Sequence, residues 1–76
     1  MASKIDSKAT IKRAERLNEM YENDEIPPDA MVCQSGMIRF VQDEFNISGG
    51  STAWHVVNAW QHYYDKKLPK NMHSLV

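Results

Sequence analysis

The segment Ser48–Tyr64 reads SGGSTAWHVVNAWQHYY, and its pattern decides the fold. At about 100° per residue, Ala53, Val56, Val57, Trp60 and Tyr64 fall on one side of a helix. Ser51, His55, Asn58 and His62 fall on the opposite side, with Lys66 near them, and Trp54 lies at the edge of the apolar arc. Ser51 has the side-chain oxygen that caps a helix start. Gly49 and Gly50 tolerate positive φ, so a hinge is expected there. Lys66 and Lys67 suit the negative end of a helix that runs to one or the other of them. Pro69 then blocks continuation.

Upstream, the run MIRFVQDEFNI has its own helical period, with Met37, Phe40, Val41 and Phe45 facing inward. Asn46 tolerates the left-handed conformation that ends a helix, and Ile47 supplies an apolar anchor after it. Ile26-Pro27-Pro28-Asp29 is the clearest break, because each proline excludes its predecessor from helical angles. A short helix is expected from about Pro28 to Gln34. A second should follow from Gly36 to Phe45, with Ser35 as its cap. The first helix should begin near Ser7, place Ile11, Ala14, Leu17 and Tyr21 inward with Met20 beside them, and end in the acidic loop from Glu22 to Glu25. No alternating strand pattern is present. The fold class is all-α: a small helical bundle of three to four helices.

With 76 residues, the chain has room for one domain, 1–76, with loose ends at 1–6 and 69–76. A core this small buries only about 60% of the unfolded surface. Cys33 stands alone, which excludes an intramolecular disulfide and favours a reducing compartment. The N-terminus lacks the apolar stretch of a signal peptide. No apolar run approaches the roughly 20 residues that span a bilayer. A cytoplasmic protein without membrane contact is expected.

Formal net charge is −1, so no global field draws the chain to polyanions. Its distribution is uneven. Lys4, Lys8, Lys12, Arg13 and Arg16 come early, Glu19, Glu22, Asp24, Glu25 and Asp29 follow, and Lys66, Lys67 and Lys70 come late.

The residue pattern argues against an enzyme, a metal site or a cofactor. His55 and His62 stand seven residues apart, two helical turns rather than one, and no cysteine pair or carboxylate cluster joins them at metal-ligand spacing. Gly49-Gly50-Ser51-Thr52 lacks the spaced lysine of a phosphate-binding loop. A lone Cys33 without a neighbouring base is a small core residue rather than a nucleophile.

Phe40 through Trp60 resembles the helix-turn-helix superfamily. Val41, Phe45 and Ile47 match the apolar positions of its first helix and turn. Ser51 and Thr52 match the polar opening of its recognition helix, and Ala53, Val56 and Val57 match the buried side. Gln42, where a small residue is usual, and a turn one residue longer depart from that pattern. The resemblance implies a small DNA-binding transcriptional regulator, acting as a dimer on double-stranded DNA. Ser51, Thr52, His55, Asn58 and His62 would then meet base edges, with asparagine suited to adenine. Gly50, Lys8, Lys12, Arg13, Lys66 and Lys67 would hold phosphates. A second expectation, from the near-neutral charge and aromatic last helix, is a protein-binding module such as a virus- or mobile-element-encoded inhibitor or adaptor. Trp54 and Gln61 are its interface candidates.

Overall fold

The computed structural model describes residues 7–69. Three α-helices and one 3-10 helix occur in the order α1 (Lys8–Glu22), the 3-10 helix (Pro28–Met31), α2 (Gln34–Glu44) and α3 (Gly50–Tyr63), with no strand among the described residues. The all-α expectation holds. The calls on residues 1–6 and 70–76 lie outside the described residues.

α1 starts where the sequence places it. The Ser7 hydroxyl accepts the Thr10 N–H (3.2 Å) and donates to Thr10 Oγ1 (2.8 Å). That pairing lets the polar Thr10 enter the core, so the buried stripe is Thr10, Ala14, Leu17 and Met20. Ile11, expected inward, is displaced to 40% exposure, and Tyr21 is also partly exposed.

All three helices end in the same way. Asp24, Asn46 and Asp65, at φ 60°, 55° and 54°, are left-handed residues just past the helix ends. The next N–H closes back onto the helix in each case: Glu25 to Met20 O (2.8 Å), Ile47 to Gln42 O (2.9 Å) and Lys66 to Gln61 O (2.9 Å). This is the Schellman arrangement, here built without glycine. It ends α3 at Tyr63, so Lys66 and Lys67 lie outside the helix they were expected to finish.

The glycines serve other purposes. Neither Gly49 nor Gly50 has positive φ, so the expected glycine hinge is replaced by the bend at Asn46. Gly49 is the N-cap of α3 at φ −89°, no side chain caps that end, and Ser51 sits exposed in the first turn. Gly36 lies inside α2, because the helix starts at Gln34 after an extended Cys33 rather than after Ser35. A Cβ on Gly36 would stand 2.9 Å from the Asp29 carbonyl oxygen, so the absence of a side chain allows the 3-10 helix to cross α2 closely.

α3 packs against both α1 and α2. Its Ala53, Val56, Val57, Ala59 and Trp60 are buried, and Leu17, Met37 and Val41 complete the centre. Phe40, Phe45 and Tyr64 are partly buried against it. Downstream of α3 the chain folds back: Leu68 is buried, its N–H donates to Gln61 Oε1 (3.0 Å), and Gln34 N–H donates to Pro69 O (2.7 Å). Pro69 therefore fills an open donor at the start of α2. Pro69, which the sequence places at the start of a loose end, is thus held against α2 in a short strap; the rest of that end, 70–76, lies outside the described residues.

Candidate nucleic-acid interface

Burial of one side of α3 turns its other side outward. Ser51, Thr52 and His62 are exposed there, and His55 and Asn58 are half-buried. All five base-contact candidates therefore lie outside the core. Trp54 shares this face at 46% exposure, with its ring edge-to-face against His55 (5.1 Å between centroids). His62 makes a similar contact with Tyr63 (4.9 Å).

Two amides on α3 are partly committed. Asn58 Nδ2 donates to Trp54 O at 2.8 Å, which leaves its Oδ1 and one N–H to meet a ligand. Gln61 donates to Val57 O (3.4 Å) and accepts from Leu68, so both ends of its amide are used within the chain. His55 Nδ1 is buried without a hydrogen-bond partner.

The phosphate candidates divide into two groups. Lys12, Arg13 and Arg16 of α1 face Glu44 and Phe45 at the end of α2 across an open groove of about 370 Å³. Lys8 and Lys12 border a second depression with Glu15. Among the described residues Lys12 and Arg13 make no ion pair, whereas Arg16 reaches Glu19 (3.4 Å) and Glu25 (4.0 Å). Those exposed pairs hold Arg16 only weakly. Lys66 lies elsewhere, its Nζ 4.3 Å over the Tyr21 ring. Tyr21 is nine residues beyond Lys12, roughly 13 Å along α1. Lys66 thus does not extend the groove formed by Lys12 and Arg13.

A short connecting segment leads from the groove to the start of α3. Five residue steps separate Phe45 from Gly50, at most about 17 Å of chain. Gln42 shortens the gap further by donating to Ser48 O (3.4 Å). The first-turn N–H groups of Gly50, Ser51 and Thr52 are uncapped by any side chain. Helix N-termini and guanidinium groups both favour anions. Glu44 opposes them from within the groove.

Arg16, Glu44 and Phe45 are additions to the candidate set. Arg16 had a local signal, since Lys8, Lys12 and Arg16 repeat every four residues on one ridge. Glu44 and Phe45 had none, because their place opposite α1 depends on how the helices pack. Among the described residues no three His, Cys, Asp or Glu side chains gather as a metal site, and no helix is long and apolar enough to cross a membrane. No protein-family model, curated protein or solved structure matches this chain.

Proposed function

We propose that the protein is a small DNA-binding regulator of helix-turn-helix type, with α3 as the helix presented to the major groove. The observation that supports this most is the outward placement of Ser51, Thr52, His55, Asn58 and His62 on a helix whose other side is buried. Lys12, Arg13 and Arg16, which line the groove between α1 and the end of α2, serve the phosphates, and Lys8 extends them along α1. Few cations are available, so one copy binds weakly and two copies on paired half-sites are expected.

A salt series of duplex binding by fluorescence anisotropy tests this. Affinity should fall with salt at a log–log slope of about −0.9 per phosphate contacted. Absence of duplex binding at low salt, or binding indifferent to both salt and sequence, would end this reading.

One observation favours a second reading, a protein-binding adaptor or inhibitor: Trp54 is 46% exposed on a helix with no lysine or arginine. Exposed tryptophans anchor protein interfaces because they contribute area with few rotamers to freeze. Capture of a protein partner by the wild type but not by Trp54→Ala, without any duplex binding, would select this alternative. Equal capture by both would remove it.

A further inference from the structure

We infer that His55 presents a hydrogen-bond donor, Nε2–H, at the ligand face of α3 and that its partner is the guanine edge of a major groove. This rests on the DNA-binding reading of α3 and deepens it. The starting observation is the buried, unpartnered Nδ1 of a half-exposed histidine. Of the two ring nitrogens, only Nδ1 is sealed from solvent without a partner.

Neutral imidazole carries its proton on one nitrogen and a lone pair on the other. A proton on Nδ1 would leave a buried N–H with no acceptor, whereas the Nε2–H form, already the intrinsically favoured tautomer of a neutral histidine, puts the donor where it can be satisfied. A bare Nδ1 is therefore the favoured arrangement. The proton then resides on Nε2, which is free to meet solvent or a ligand. Trp54 packs edge-to-face against the same ring and restricts its orientation. Sequence marks His55 only as polar and outward. The packed structure selects which of its nitrogens can act, and hence its polarity.

A single donor distinguishes base edges. Guanine offers two adjacent acceptors in the major groove, N7 and O6, so a donor is satisfied across that edge. Adenine places the N6 amino donor beside its N7, which opposes an incoming N–H, cytosine offers only a donor, and thymine offers the single acceptor O4 crowded by its methyl group. His55 thus favours guanine, whereas Asn58 retains an acceptor and a donor and suits adenine.

Two measurements on the full chain test this. Long-range ¹H–¹⁵N correlation spectra should show the Nε2–H tautomer for His55, and a dominant Nδ1–H tautomer would overturn the inference whatever the protein binds. Anisotropy titrations then compare pools of random-sequence duplexes made with guanine or with 7-deazaguanine, which lacks N7. Wild type should prefer the guanine pool about fivefold, the effect of one net hydrogen bond. His55→Phe, which keeps an aromatic ring beside Trp54, should lose that preference and bind both pools no more tightly than wild type binds the 7-deazaguanine pool. Equal binding of both pools by wild type would show that no bond reaches N7 and overturn the guanine preference, since O6 alone offers only what thymine O4 offers, leaving the DNA-binding reading in place. Binding of neither pool at low salt would overturn both.

Discussion

Trp60 Nε1 donates to Asn18 Oδ1 at 3.2 Å, a bond between α3 and α1 across 42 residues of sequence. Trp60 is fully buried, so its indole N–H depends on this acceptor. Tyr21 packs edge-on against the same indole (5.6 Å, 61°), and Lys66 covers Tyr21 in turn. Asn18→Ala should cost about 1–3 kcal/mol, because it strands a buried donor. For a domain of this size that lowers the thermal midpoint by about 4–8 °C per kcal/mol. Asn18→Asp, which keeps the acceptor, should lose less. Equal midpoints for wild type and Asn18→Ala by circular dichroism would contradict this account.

Gly36 and Gly50 make a paired test. Both lie in helices at negative φ, where alanine has an intrinsic advantage of about 1 kcal/mol. Gly50→Ala meets only Gln42 Nε2 at 3.8 Å and should stabilise by up to about 1 kcal/mol. Gly36→Ala drives its Cβ to 2.9 Å from the Asp29 carbonyl and should destabilise by about 1–3 kcal/mol. Urea unfolding of the two variants should give shifts of opposite sign.

The bend between α2 and α3 depends on Asn46 at φ 55° rather than on the two glycines. Asn46→Val should therefore cost at least about 1 kcal/mol, since a β-branched residue fits poorly in the left-handed region. Asn46→Gly should be neutral or stabilising. Equal unfolding midpoints for these two variants would place the conformational demand elsewhere.

Leu68 and Gln61 secure the strap that closes onto α2. Leu68→Ala removes a side chain exposed only 7%, and a loss of about 2 kcal/mol or more is expected. Lys67→Ala, next to it and exposed, should stay within about 0.5 kcal/mol of wild type. Amide hydrogen exchange gives a local check: the Gln34 N–H, bonded to Pro69, should lose protection in Leu68→Ala and keep it in Lys67→Ala.

Trp54 and Trp60 should separate in fluorescence. Acrylamide should quench Trp54, at 46% exposure, and spare Trp60, at 0%. Trp54→Ala should remove the quenchable emission and change stability by no more than about 0.5 kcal/mol. A large loss of stability would assign Trp54 to packing and weaken its reading as an interface residue.

Much of this protein was legible in the sequence because its signals act within a few residues. Ser7 caps α1 through Thr10, three residues on. Asn46 ends α2 through a bond that spans only Gln42 to Ile47. The period of Ala53, Val56, Val57 and Trp60 fixes which side of α3 is buried, and with it the outward position of Ser51, His55, Asn58 and His62. Other features depend on what a distant segment brings. Whether Ile11 or Thr10 turns inward depends on a neighbouring hydroxyl and on where α3 lies. Gly36 reads as a helix breaker until the Asp29 carbonyl occupies the space where its side chain would be. Pro69 reads as the start of a loose end until Gln34 N–H binds its carbonyl. Glu44 and Phe45 join Lys12, Arg13 and Arg16 only when α2 meets α1. Helical period and end signals are local properties of the chain, so sequence determined the helices and their faces. Close approach, partner choice for buried polar atoms and the composition of grooves arise between segments far apart in sequence, so only the tertiary structure decided them.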